Sequence, residues 1–471
     1  EALALAVQLA RRGLAAADQL RSLAGSCQRL ADRGDGGTGP LSDGALLIHQ
    51  LAANTQCLSS PELPPEAEPA LRELAGRRSA LTDIRAAALA LLAERLDASG
   101  RSIEAQRLAG QALTLLESGE SGSLDLRAFV ATRLMFALVH AGRYWQVEEH
   151  LDSFRGGRED SPSYLRGSAE LFAALVSVRQ GRLRQGLDRL IPAVEELRLA
   201  DPETLLPYVL GLLAHAAAQL GERGLALKYA AQFQLLPQQG PQHRWLVAAA
   251  YAAAAKAARG GGEAAGQLAG LAADARNAGF LRCEKEILEV LCRTGATDQL
   301  HRLGQLAATF EGTEAGVGYR VAAARAAQDP EMLFDAARAA ESVHHYADAA
   351  ESLAAAVRIH ARTGEARQAG VLRQRLNRLL HHVGGIATGS LAEAAEAAEL
   401  TRREQEIVAM AAEGLSNREI AKRLYVSQRT VEGHLYRTFS KLGISQRQEL
   451  GRVVSRLPST IPTSRRTNCD S

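Results

Sequence analysis

Arg429, Glu432, Gly433, Tyr436 and Arg437 follow one another at offsets of three, four, seven and eight residues, the spacing that gathers side chains on one face of an α-helix. A helix fits the major groove of duplex DNA. There arginine bonds guanine edges, glutamate accepts from the cytosine amino group, and glycine lets the backbone approach closely. Around them stand Asn417, Ser427, Arg429, Thr430 and Lys441, whose side chains or helix-start amides suit phosphate. The chemistry implied is base recognition held in register by backbone contacts.

Local signals dictate the elements that must present these groups. Thr401 with Glu404, Ser416 with Glu419 and Ser445 with Gln448 have capping-box spacing, and Ser427 with Thr430 repeats it with a second hydroxyl. Gly414 and Gly443 fall where a helix must end. Four short helices are therefore expected, near 402–412, 417–424, 428–442 and 446–456. Val431, Leu435, Phe439 and Leu442 repeat at helical spacing and, with Ile407, Ile420, Ala421 and Leu424, form the predicted core. His434 sits beside that stripe and is expected to pack or cap, whereas Tyr436 suits either packing or reading. From Leu400 to Leu457, 11 Lys and Arg face 6 Asp and Glu, whereas residues 1–399 carry 42 basic and 46 acidic residues. The net charge of +2 thus hides a basic C-terminal module on a mildly acidic body.

Leu400-Thr401, Arg403-Glu404, Gly414, Ser416-Asn417, Glu419-Ile420-Ala421, Leu424, Ser427, Thr430-Val431, His434, Lys441-Leu442 and Arg447 together resemble the LuxR-type (GerE-like) DNA-binding domain of bacterial transcription regulators. The resemblance covers about one eighth of the chain. It implies a four-helix helix-turn-helix domain that binds double-stranded DNA as a homodimer, with the third helix in the major groove and the fourth in the dimer contact. Where many members have Lys after Thr-Val this chain has Glu432, which suits a different operator preference.

Upstream the composition changes character. The chain is 46% hydrophobic but only 4% aromatic, and the body is dominated by Ala and Leu with few alternating β-branched runs, as stacked helices require. Gly100, Gly142, Gly181, Gly221 and Gly260 recur every 39 to 42 residues, and five positions after each stands Ala105, Val147, Gly186, Ala226 or Ala265. Gly364 with Ala369 repeats the offset. A glycine ending one helix and a compact residue in the next mark a helical-hairpin solenoid. The pattern resembles tetratricopeptide-like repeats of the kind found in MalT-like and other large LuxR-family regulators. The expected fold is all-α: a tetratricopeptide-like solenoid followed by a four-helix LuxR-type domain. Clusters near repeat turns, Arg143, Tyr144, Trp145, Arg182, Arg184, His243, Arg244 and Trp245, are candidates for an inducer or partner site, solvated helix ends being the plainer explanation.

Composition sets the expected boundaries: a helical leader with Gly- and Pro-rich breaks at 1–78, the repeat domain at 79–383, a linker and lead-in helix at 384–399, the DNA reader at 400–457 and a disordered tail at 458–471. No Gly-Lys pair exists among the five lysines, which excludes a Walker A phosphate loop. The chain begins at Glu1 rather than Met, and the LuxR-like repeat regulators it resembles carry an ATP-binding module ahead of their repeats, so such a module is expected upstream. The adjacent histidines of His344/His345 and His381/His382 point apart on a helix and make poor chelators. Cys27, Cys57, Cys283, Cys292 and Cys469 lack metal-ligand spacing and read as reduced thiols. No catalytic residues, cofactor or metal are therefore expected. No apolar run reaches membrane-spanning length, and a cytoplasmic location is expected. The function expected is sequence-specific transcription regulation, with a signal received by the repeats and RNA polymerase as a partner; the alternative is a repeat scaffold whose C-terminal module docks protein.

Overall fold

The computed structural model describes residues 6, 17–34, 42–48, 51, 67–118, 124–155, 163–257, 261–383, 401–442, 447 and 450. Every regular element among them is an α-helix, so the all-α expectation holds. After α1 (Ala17–Gly34) and α2 (42–48) come α3 (Ala67–Gly76), α4 (Thr82–Ala98), α5 (Ser102–Ser118), α6 (Leu124–His140), α7 (Tyr144–Arg155), α8 (Ser163–Arg179), α9 (Leu183–Leu199), α10 (Leu206–Gln219) and α11 (Arg223–Gln234). The series continues with α12 (Gln242–Lys256), α13 (Gly261–Asn277), α14 (Leu281–Arg293), α15 (Leu300–Thr309), α16 (Val317–Ala327), α17 (Pro330–Ser342), α18 (Tyr346–Thr363) and α19 (Ala366–Val383). It ends with α20 (Arg402–Ala412), α21 (Asn417–Arg423) and α22 (Gln428–Leu442). The chain forms two compact units, Glu1–Ser352 with Leu380–Thr388, and Leu353–Leu379 with Gly389–Ser471. The expected linker 384–399 and tail 458–471 lie outside the described residues.

Within the first unit, helices pack on their neighbours and on the next but one, as in α4 against α5 and α6, or α10 against α11 and α12. That is the packing of stacked helical hairpins. The turn between paired helices is chemically repetitive. At Gly100, Gly142, Gly181 and Gly221, φ lies between 71° and 93°, and the next residue's amide bonds back to the preceding helix: Arg101 to Leu96 O, Arg143 to Leu138 O, Arg182 to Ser177 O and Glu222 to Ala217 O. This left-handed cap satisfies carbonyls the helix leaves open, and glycine adopts it without steric cost. Five residues on, Ala105, Val147, Gly186 and Ala226 are buried against the first helix. At Gly186 an added Cβ would sit 2.7 Å from Val178 Cγ2.

The pattern recurs at Gly364, where φ is 82°, Glu365 N bonds His360 O and Ala369 is buried five residues on, but it is not seen at every expected position. Gly260 lies outside the described residues, and Ala265 is only half-buried, while Ala264 beside it takes the core position. Further on, His344 at φ 64° replaces glycine in the same cap, with His345 N bonding Ala340 O, and Ala349 follows it, fully buried, at the same offset.

Ala-rich helices allow the chain to curl on itself. α4 and α10 are buried on nearly every side, and α14 returns to touch α4. Arg282 Nε donates to Asp97 O at 3.0 Å, and Glu311 N donates to Gly100 O at 3.0 Å. The curl therefore encloses an interior.

Candidate nucleic-acid interface

Two complete capping boxes fix the entry of α20 and α21. Thr401 N donates to Glu404 Oε2 at 2.9 Å while Thr401 Oγ1 accepts from Glu404 N at 3.3 Å, and Ser416 makes the same exchange with Glu419 at 2.7 and 3.3 Å. The Ser416 hydroxyl and amide, both bonding the Glu419 carboxylate, hold its pKa below the usual range. At the start of α22, Ser427 Oγ accepts from Thr430 N at 3.1 Å and lies 2.7 Å from Thr430 Oγ1. The short turn before it passes through Tyr425, a non-glycine residue at φ 54° that is 96% exposed.

These helices close on one core. Ile407, Val408, Ala411, Ile420, Ala421, Val431, Leu435 and Leu450 are buried together, with Leu424 and Phe439 packed partly against them. The expected core is thus found, except that Leu442's side chain lies outside the described residues. Helices α20 to α22 match the expected spans to within one residue, while the fourth helix, expected at 446–456, falls mostly outside the described residues.

With Val431 and Leu435 turned inward, the opposite face of α22 points to solvent. Arg429, Glu432, Tyr436 and Arg437 are exposed and Gly433 is half-exposed, with no described atom beyond its own helix backbone within 4 Å of where a Cβ would lie. His434 is half-buried with its Nδ1 sealed in and without a hydrogen-bond partner among the described residues, which suits packing. Of the phosphate candidates, Ser427, Arg429 and Thr430 gather at the start of α22, and Asn417 opens α21; Lys441's side chain lies outside the described residues.

Several contributors escaped the sequence reading. Arg418, Lys422 and Arg423 on α21 are exposed and, like Arg429, form no ion pair among the described residues, so they add positive charge to this surface. Basic residues alternating with the buried Ile420 and Ala421 were the available signal. Gln428 Nε2 donates to Glu432 Oε1 at 3.1 Å and steadies the acid. Arg403 donates to Leu424 O at 2.8 Å and to Glu406 at 3.0 Å, tying α20 to the end of α21. Arg447 donates to Leu415 O and, at 2.6 Å, to Asn417 Oδ1. Asn417 therefore has its oxygen occupied and offers phosphate only its amide N–H groups.

Residues 398–454 match the family model of bacterial regulatory proteins, luxR family. This segment is a LuxR-family helix-turn-helix domain. Over 51 residues the chain is 51% identical to a Mycobacterium tuberculosis protein that bears an HTH-type transcriptional regulator name, a match covering 11% of this chain and 6% of that protein. The CsgBAC operon transcriptional regulatory protein of Escherichia coli is 39% identical over 71 residues, 15% of this chain and 31% of that protein. The oxygen regulatory protein NreC of Staphylococcus aureus is 45% identical over 51 residues, 11% of this chain and 24% of that protein. Among solved structures, Rap protein complexed with competence and sporulation factor matches at a TM-score of 0.33 and 15% identity, covering 64% of this chain and 99% of that one.

The repeat unit buries a second polar constellation. Arg133 donates to Glu203 Oε2 at 2.7 Å and to Phe129 O at 3.1 Å, and Arg244 donates to Glu94 at 3.1 Å and to Glu203 O at 3.1 Å. Burial alone would raise Glu94, but the charges of Arg133 and Arg244 overcome it and bring its pKa down to about 2. Burial, aided by Arg244, pushes His243 down to about 4. Tyr144 donates to Glu314, which His345 Nε2 meets at 2.7 Å. Of the candidates near repeat turns, Tyr144, His243 and Arg244 belong to this interior. Arg143, Trp145 and Arg184 are exposed, Arg182 and Trp245 half-buried, and Arg184 pairs with Glu222.

Proposed function

We propose that this protein is a sequence-specific, DNA-binding transcription regulator whose third C-terminal helix, α22, reads the major groove. The carrying observation is the division of α22 into a buried stripe, Val431 and Leu435, and an exposed face, Arg429, Glu432, Tyr436 and Arg437, within a LuxR-family domain. Arg418, Lys422, Arg423 and Arg429 give that surface cations for phosphate, which supports the reading. Asn417, Ser427, Thr430 and Lys441 complete the backbone contacts.

One such module covers too little DNA for tight specific binding, so the regulator works as a homodimer on a two-fold site. The repeat unit receives the signal, and the DNA-bound pair contacts RNA polymerase. The protein acts in the cytoplasm; among the described residues no helix is long and apolar enough to cross a membrane.

Selection of sites from a random duplex pool with the whole chain tests this. Enrichment of an inverted repeat, with salt-sensitive binding lost in an Arg429→Ala/Lys441→Ala double variant, is the expected result. A folded protein that enriches no sequence overturns it and favours protein docking.

A further inference from the structure

The curl of the repeat unit leaves two chambers that meet at His140, Arg282 and Glu286. Their volumes, about 90 and 50 Å³, are each well below the ~150 Å³ that holds a benzene ring, so an occupant seated there is no larger than a small amino acid and cannot be a nucleotide or a long peptide. The lining carries seven carboxylates against six Arg and Lys side chains. Such balance suits a molecule bearing both charges and little net charge.

The junction offers one group of each sign. Arg282 commits Nε to Asp97 O and Nη2 to Ser102 Oγ, at 3.0 and 2.6 Å, which leaves Nη1. Glu286 receives Arg179 and Tyr251 on the same oxygen, Oε1, which leaves Oε2. Both residues stand on α14 one turn apart, where side chains are neighbours, yet they form no ion pair with each other. Beside them the smaller chamber is walled by Phe136, Val247 and Phe280. Tyr208, 3% exposed and also on that wall, stands edge-on to Tyr251 at 6.1 Å between ring centroids.

We propose that this interior binds a free α-amino acid with an apolar side chain, its carboxylate on Arg282, its ammonium on Glu286 and its side chain between Phe136, Val247 and Phe280. The site deepens the reading of the repeat unit as signal receiver and rests on it for its regulatory meaning, but not for binding. Each charged end contributes a charge-assisted hydrogen bond in a partly desolvated setting.

Calorimetric titration of the whole chain, without DNA, with leucine, isoleucine, valine, methionine and alanine tests it. At least one is expected to bind ten-fold or more tightly than its own deaminated and decarboxylated analogues, and Glu286→Gln to weaken it by about ten-fold. Because Glu286 also holds Arg179, a second variant guards against misfolding: Val247→Met fills the apolar chamber at modest packing cost and shifts preference toward alanine. No binding by any of the five up to about 10 mM, equal binding of the analogues, or an unshifted preference in Val247→Met overturns the proposal. Failure here leaves site selection on DNA untouched, and failure there leaves amino-acid binding measurable.

Discussion

At the residue scale, the exposed face of α22 separates groups that read from groups that hold. Glu432 is exposed and, among the described residues, supported only by Gln428, so Glu432→Ala removes little from the fold. Its expected effect is a changed base preference at one operator position, where a well-placed contact discriminates by about 1–3 kcal/mol. Site selection with both proteins measures this, and equal loss on every sequence would return Glu432 to a general electrostatic role. Gly433 gives a complementary test. Apart from its own helix backbone and chain neighbours, no described atom lies within 4 Å of its missing Cβ, so Gly433→Val should leave thermal unfolding unchanged or slightly raised, while DNA affinity falls by about ten-fold from steric contact with the groove. A folded variant with full affinity would show that α22 does not approach DNA along this edge. Arg447 belongs to the holding class, since it occupies Leu415 O and Asn417 Oδ1 and so orients the start of α21.

At the scale of elements, close helix crossings carry the repeat unit. Gly211 on α10 lies so near α12 that an added Cβ would stand 2.9 Å from Ala248 Cα and closer still to its carbonyl oxygen. Backbone cannot rotate aside as a side chain can. Gly211→Ala is therefore expected to destabilise the unit by about 1–3 kcal/mol, although alanine favours helix, and urea unfolding monitored by circular dichroism would show it. A stabilised variant would mean that α10 and α12 are not in contact at this point. The same elements show what the sequence could convey. Glycine-ended hairpins were legible because the left-handed cap strongly prefers glycine, and Gly100, Gly142, Gly181 and Gly221 obey it. The rule failed where other residues took that conformation: His344 at φ 64° and Gln328 at φ 51° end helices too, and nothing in their types announces it. Capping boxes in the DNA reader were legible because both partners lie three residues apart. The chambers of the repeat unit were not, since Asp97, His140, Arg282 and His345 are brought together only by the curl.

At the scale of the whole molecule, the buried ionic interior makes stability depend on pH. His215 and His243 are held neutral by burial, their pKa values brought down to about 3 and 4. The unfolded chain protonates both near pH 6.5, so their stabilising effect is full above that value and is lost as pH falls toward the folded values. By pH 5 each loses about 2 kcal/mol. Asp201 acts in the opposite sense. Burial raises it to about 6, so on acidification from pH 7 it becomes protonated first in the folded state and returns about 1 kcal/mol by pH 5. The histidines win, with a net loss of about 2–3 kcal/mol between pH 7 and pH 5. Below pH 4.5 Glu94, Glu286 and Glu314, whose pKa values their cationic or hydrogen-bonding partners lower, add a second and steeper loss as the unfolded chain takes up protons they refuse. Urea midpoints measured at pH 7, 6, 5 and 4 should therefore fall in two stages. In a His215→Gln/His243→Gln variant that remains folded at pH 7, the first stage should vanish and the second remain. A first stage that survives the double substitution would place the titrating groups outside this interior.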